Sequence, residues 1–325
     1  MKPLKTIAKI IIGFIPLIAL WIYLACAPMN YMDGEYSYYQ QVKDLAYGKS
    51  GISADVLVLG DSRAKSGIQP EMLSSCFNAA EGGSTAVESY FTLKNYIENV
   101  GVPSKVVLSI GPYHFSSFDG FWTRSNYFDF FKYEEALEVI RTAESFGETD
   151  ALKEAGGDGV FTLIEYKIKS PAKYMAPFVN SFGEDRKTIN EEHYSEMVEN
   201  KGFKSFVSWW PTSYENDMDD WQLLKTLETY FRKTIELCRD NNIELYVVNM
   251  PLIETAKESG ANVTEPVSGF LETIKAEYEA ESPGKIHIEA DFQYYGEEFY
   301  DDADHLNPAG AEKYTADMMK KYDIF

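Results

Sequence analysis

Two short strings near opposite ends of the chain hold the residue types of nucleophilic acyl chemistry. Gly60-Asp61-Ser62-Arg63 directly follows the apolar run Val56-Leu57-Val58-Leu59. Asp302-Ala303-Asp304-His305-Leu306-Asn307-Pro308 lies just before a C-terminal helical segment. A serine hydroxyl is a weak nucleophile until a neighbouring base takes its proton, and a histidine does so best when a carboxylate fixes its tautomer. Ser62, His305 and Asp302 are those three groups. Each string alone also reads as plain structure, the first as a helix N-cap after a strand and the second as an acidic loop before a helix. Their joint occurrence favours a Ser-His-Asp triad.

Elements that alternate between strand and helix would have to position these groups. Val56–Leu59 is a short, continuous apolar run ending in glycine, as in a strand buried on both faces. Cys76–Asn78 reads as a very short second strand, and Thr85–Asn99 has helical spacing with Phe91, Leu93, Tyr96 and Ile97 toward a core. Lys105–Ile110 is β-branched and ends in Gly111-Pro112. From Tyr113 to Asp220 only helical patches follow (Glu134–Glu144, Leu152–Glu154, Asn190–Glu199), which reads as an insertion. The rhythm resumes with a helix at Trp221–Asn241, a strand at Glu244–Asn249, a helix at Val267–Glu281, a strand at Lys285–Glu289 and a last helix at Ala309–Tyr322, opened by Pro308. Strands alternating with helices imply βαβ units and a parallel sheet, whose active sites lie at the carboxyl ends of the strands. Ser62, Gly83 and Tyr113 all fall just after predicted strands.

The chain resembles the SGNH (GDSL-like) hydrolase superfamily in its Gly-Asp-Ser block and its late Asp-x-x-His block. The resemblance implies a three-layer α/β/α sandwich around a central parallel sheet, with Ser62 as nucleophile, His305 as general base and Asp302 as its orienting partner. Asn78-Ala79-Ala80-Glu81-Gly82-Gly83-Ser84-Thr85 is similar to the family's Asn-x-x-x-x-Gly-x-Thr block, which implies an oxyanion hole from the N–H groups of Ser62 and Gly83. The family's third block, Gly-x-Asn-Asp, is Gly111-Pro112-Tyr113-His114 here. Tyr113 therefore stands where the family has an asparagine donor, and the hole is either incomplete or rebuilt with a tyrosine hydroxyl. Ser62-Arg63-Ala64-Lys65 is also a literal Ser-x-x-Lys, as in penicillin-binding proteins, but no Ser-x-Asn or Lys-Thr-Gly string accompanies it.

Three further features have two readings each. Arg63 is either a surface charge or a holder of a polar or anionic substrate group. His114 either lines the cleft as a substrate contact or serves structure. The aromatics Phe115, Phe118, Phe121, Trp122, Tyr127, Phe128, Phe130, Phe131, Tyr133 and Trp209-Trp210 either pack the insertion or meet a ligand or partner.

The N-terminus reads as a membrane anchor, residues 1–28. Lys2, Lys5 and Lys9 precede an uncharged apolar run from Ile10 to Ala27, and the basic flank predicts a cytoplasmic N-terminus with the rest of the chain outside. A cleaved signal peptide and a lipoprotein signal at Leu24-Ala25-Cys26 are the competing readings. Residues 29–54 read as a juxtamembrane stretch with a helix around Tyr38–Ala46, and 55–325 as the catalytic domain with its insertion at about 113–220. A formal net charge of −21 argues against nucleic acid, since a phosphate-binding surface needs clustered Lys and Arg. Cys76 and Cys238 are expected as buried thiols, a disulfide between them in an oxidising compartment being the alternative. No Cys/His spacing calls for a metal, and no cofactor is expected.

The anchored plan is similar to the AlgJ- and DltD-type accessory proteins that work beside membrane-bound O-acyltransferases. That resemblance rests on the Gly60–Gly67, Asn78–Thr85 and Phe299–Ala311 strings. It implies an extracytoplasmic O-acyltransferase, with acetyl the expected group, acting on a cell-envelope polysaccharide beside a polytopic membrane partner. A cell-surface esterase and a non-catalytic polymer-binding or scaffold module are the alternatives.

Overall fold

The computed structural model describes residues 2–26, 29, 31–32, 34–168, 177, 179–180, 185–206, 212–218 and 220–322. In chain order the elements that matter for the site are helices α1 (Lys2–Cys26) and α2 (Tyr36–Ala46), strand β1 (Val56–Gly60), the short helix α3 (Ser62–Gly67), β2 (Cys76–Asn78), α4 (Ala86–Asn99) and β3 (Lys105–Ser109). The inserted region contributes α5 (Tyr133–Phe146), α6 (Thr149–Glu154), α7 (Val160–Lys167), α8 (Arg186–Glu199) and the single turn α9 (Tyr214–Asp217). Then come α10 (Lys225–Asp240), β4 (Glu244–Val247), β5 (Leu252–Ile253), α11 (Ala256–Ser259), α12 (Ala261–Glu281), β6 (Ile286–Ile288), β7 (Tyr294–Tyr295) and α13 (Pro308–Tyr322).

Five strands form one parallel sheet in the order β2-β1-β3-β4-β6. Because successive side chains on a strand point to opposite faces, the apolar runs feed two separate cores. Leu57, Leu59, Val106, Leu108, Leu245 and Val247 pack with α4, α10 and α12 on one face. Val56, Val58, Val107, Tyr246 and Val248 pack with Ala64 of α3 and with Tyr314 and Met318 of α13 on the other. Helices thus cover both faces, which is why the strands read as continuous rather than alternating hydrophobic runs. Cys76 and Cys238 are buried free thiols within this packing.

The chain leaves β1 toward β2 on one side and then crosses to β3 on the other. Between the carboxyl ends of β1 and β3 the order reverses, and the two outgoing connections diverge to leave a crevice. Gly60 and Ser109 are register partners at that edge.

Three boundaries differ from expectation. α10 begins at Lys225 rather than Trp221, because the Glu148 carboxylate accepts from the N–H groups of Lys225 (2.6 Å) and Thr226 (3.1 Å) and so caps the helix there. α12 begins at Ala261 and runs through Pro266, although a proline forfeits one i→i−4 bond. Residues 29–54 are not a separate juxtamembrane stretch: Met29, Met32, Tyr39, Val42, Leu45 and Ala54 belong to the main core. The inserted aromatics Phe115, Phe118, Phe121, Trp122, Phe128, Phe130 and Phe131 are buried in that same core, which is the packing reading. Tyr127 is partly buried, and Tyr133 is 38% exposed. Trp209 and Trp210 lie outside the described residues.

α1 holds one stretch, Lys5–Leu24, that is long and apolar enough to cross a membrane and is not buried against the rest of the chain. It also contains Pro16. Removing residues 1–28 should leave a single cooperative unfolding transition. Removing residues 1–54 should abolish it, since five or six buried apolar side chains at about 1.5–3 kcal/mol each rival the whole stability of a domain. Circular dichroism melts of the two truncations check this.

Candidate active site

The candidate nucleophile, Ser62, is positioned by the end of β1. Gly60 has φ 142°, and a Cβ there would fall 1.8 Å from the Ser109 carbonyl oxygen, so only glycine lets β1 and β3 approach this closely. Asp61 follows in an extended conformation and caps α3, its Oδ1 accepting from the Arg63 N–H at 2.9 Å. Ser62 is the first residue of α3 and half-buried at the crevice.

The base comes from the loop before α13. Asp302 Oδ1 accepts from the N–H groups of Asp304 (2.7 Å) and His305 (2.8 Å), which folds the loop around the carboxylate. The Asp301 N–H closes the turn on the His305 carbonyl at 2.9 Å. His305 Nδ1 lies 2.8 Å from Asp302 Oδ2, and Nε2 lies 2.8 Å from Ser62 Oγ. An ionised carboxylate only accepts, so Nδ1 carries the proton and Nε2 is left to accept from the serine hydroxyl. Ser62, His305 and Asp302 are thus brought together, across 243 positions of sequence between Ser62 and His305. The Phe206 ring covers the imidazole, with centroids 5.2 Å apart.

Gly83 lies in the left-handed region, at φ 68°, against Arg124 and Asp119. Its loop is tied to β1 by the Glu81 N–H donating to the Gly60 carbonyl at 2.9 Å. The N–H groups of Ser62 and Gly83 have no hydrogen-bond acceptor among the described residues. Backbone donors of this kind suit the charge of a tetrahedral intermediate, where one is worth about 3–4 kcal/mol. Tyr113 lies in the turn Pro112–Phe115, with its ring stacked on Tyr214 at 4.9 Å and 15°.

Three buried cations surround the nucleophile, each matched by carboxylates. The fully buried Asp61 Oδ2 accepts from the Gly111 N–H (2.6 Å) and from His114 Nδ1 (2.8 Å), while His114 Nε2 donates to Asp119 at 3.0 Å. Both ring nitrogens facing carboxylates require the imidazolium. Burial opposes the charge of His114, but the hydrogen bonds and charges of Asp119 and Asp61 outweigh it and raise its pKa to about 10. Burial likewise pushes the Asp61 carboxyl up, yet His114, Arg63 and the Gly111 N–H bring it down to about 2. Arg63 grips Glu215 with both amino groups (2.7 and 2.8 Å) and also binds Asp304. Lys65 Nζ donates to the Ala80 carbonyl (2.8 Å) and to Glu81 (3.1 Å).

These contacts correct two expectations. Arg63 and His114 are each only 6% exposed and engaged within the wall of the crevice, so neither is arranged as a substrate contact. Lys65 bonds Ala80 and Glu81 while His305 faces the Ser62 hydroxyl, which favours His305 over Lys65 as the base. Sequence reasoning missed Glu215, Asp304, Asp119, Phe206 and Tyr214. Asp304 sat in view inside the Asp-x-x-His string, while Glu215 carries no local signal because its partner is 152 positions away. Among the described residues, no group of three or more His, Cys, Asp or Glu side chains is arranged to hold a metal ion.

Compared with known proteins, the chain matches no family model and no curated protein.

The His114 ion pairs give a pH signature. A histidine raised from 6.5 to about 10 on folding contributes stability that is complete below about pH 6.5 and lost as pH rises through about 10. Asp61, lowered from 3.8 to about 2, contributes stability that is complete above about pH 4 and lost only as pH falls through about 2. His114→Gln should cost about 3–5 kcal/mol near pH 6, because it leaves a buried carboxylate uncompensated. It should also flatten the decline in stability between pH 6.5 and 10. Urea unfolding at pH 6 and pH 9.5 measures both, and a pH slope unchanged by the substitution would remove His114 as its source.

Proposed function

We propose that this chain is a membrane-anchored, SGNH-like serine O-acyltransferase whose catalytic body lies outside the cytoplasm. It would move an acyl group, with acetyl the expected one, onto hydroxyls of a cell-envelope or exported polysaccharide. The observation that carries this reading is the continuous Ser62–His305–Asp302 hydrogen-bond array; the N–H groups of Ser62 and Gly83 are the proposed oxyanion donors. α1, with its basic start and apolar length, supports the tether. A polytopic membrane-bound O-acyltransferase is the proposed source of the acyl group.

Ser62 Oγ attacks the acyl carbonyl carbon while His305 Nε2 takes the hydroxyl proton. The oxyanion faces the N–H groups of Ser62 and Gly83, and Asp302 stabilises the imidazolium. Collapse expels the donor's leaving group, which takes the proton from Nε2, and leaves acyl-Ser62. An acceptor hydroxyl then gives its proton to Nε2 and attacks the ester carbonyl, and Ser62 leaves with the proton returned. The Phe206 ring beside His305 supplies an aromatic face of the kind that suits a sugar ring.

Incubating the chain with an activated acetyl ester should produce an acetyl adduct on Ser62, seen by intact mass, that persists in water and disappears when a suitable oligosaccharide is added. Ser62→Ala should remove the adduct and lower turnover by at least about 10⁴-fold without changing the melting temperature. Rapid release of free acetate without sugar would make the protein an esterase. Full activity in Ser62→Ala would end the serine mechanism.

A further inference from the structure

Arg63 joins three separate parts of the chain at one buried point. It directly follows the nucleophile on α3. Its guanidinium makes a two-pronged contact with Glu215 of the inserted turn α9, at 2.7 and 2.8 Å, and a second contact with Asp304 of the catalytic loop. Asp304 adjoins His305 in sequence, and its own N–H is one of the two that Asp302 gathers. The side chain of Asp304 therefore tethers to the nucleophile helix the same loop whose backbone orients the base. Asp304 also receives the Tyr214 N–H at a longer 3.4 Å, from the residue before Glu215.

The charges explain why the contact is rigid. Glu215 is fully buried, and the side chains of Arg63 and Asp304 are only 7% and 2% exposed. One guanidinium serves two carboxylates, so it alone holds the two buried acids together, and without it they would face each other uncompensated. A planar fork bound on both prongs fixes direction as well as distance, which a lysine in its place would not do.

We propose that Arg63, Glu215 and Asp304 form a clasp that sets the position of His305 against Ser62, which makes Glu215 of the inserted region a positioning residue for the reaction. The inference rests on the acyl-enzyme reading of Ser62. It assigns the insertion a part in building the site: the catalytic loop reaches its working geometry only when α9 is docked on Arg63.

The test uses the full chain in detergent, with Glu215→Gln and Asp304→Asn, which keep side-chain shape while removing a charge. Arg63→Lys keeps the charge but loses the fork. Two readouts are compared with circular dichroism and melting temperature: the rate of Ser62 labelling by a fluorophosphonate, and the deshielded proton resonance of His305 Nδ1–H in its bond to Asp302. Folded variants should label about 10- to 100-fold more slowly, the scale on which a 1 Å misplacement acts, and the resonance should shift or broaden. Wild-type labelling together with an unchanged resonance in any folded variant would overturn the clasp, and a variant that fails to fold passes the decision to the others. If the wild-type chain itself does not label, the acyl-enzyme reading fails. The resonance needs no turnover and still decides the clasp: lost in the folded variants it stands, and unchanged it falls.

Discussion

The carboxylate of Asp61 is the constraint on which the crevice depends. Its two oxygens accept from the N–H of Arg63, the N–H of Gly111 and the Nδ1 of His114. These donors belong to the start of α3, the end of β3 and the turn after it. One small anion therefore sets where the nucleophile helix begins and how far β1 and β3 stay together beyond their last register pair. A buried carboxylate left without partners would protonate or pull in water. Here it is satisfied, and the geometry of Ser62 follows from it. From Asp61 a line of alternating charge runs outward through His114, Asp119 and Arg124 to Glu35, which is half exposed at the head of α2. The residues just after the apolar N-terminal helix are thus connected to the floor of the site.

Much of this was legible in the sequence because the governing signals are local. Val56–Leu59, Lys105–Ile110 and Glu244–Asn249 announce buried strands by apolar content alone, and the parallel sheet follows from their alternation with helices. Ser62, Asp302 and His305 stand in short strings whose residue types admit few chemical uses, and the fold brings all three into hydrogen-bond contact. What was not legible is tertiary. The start of α10 depends on Glu148 from a distant loop, and propensity alone extends the helix back to Trp221. Residues 29–54 are polar and tyrosine-rich, so they resemble a linker. Yet α2 buries Tyr39, Val42 and Leu45, spaced by three residues along one face. The pair β5 and β7 is two residues long on each side and has no periodicity to detect.

The roles of Arg63 and His114 stayed open in the sequence for one reason: sequence cannot distinguish a charge facing solvent or substrate from one facing a carboxylate 50 or 150 positions away. The partners of these two residues, Asp61, Asp119, Glu215 and Asp304, come from four stretches of chain. Only assembly reveals that every positive charge near Ser62 already has an acid assigned to it.

That pattern bears on why the charges are there. Buried ion pairs are poor instruments of stability, since well-packed apolar residues of similar volume often serve as well or better. Arg63, Lys65 and His114 nevertheless crowd the few residues around Ser62, in a chain whose formal net charge is −21. Apolar side chains could fill the same space, but they would not fix direction. A fork on Glu215, an ammonium on the Ala80 carbonyl and an imidazolium between two aspartates each specify one orientation of one chain segment against another. The segments so fixed are helix α3 carrying Ser62, the Gly83 loop and the turn after β3. The buried charges around Ser62 supply angular precision there, while the two apolar cores on either side of the sheet carry the stability.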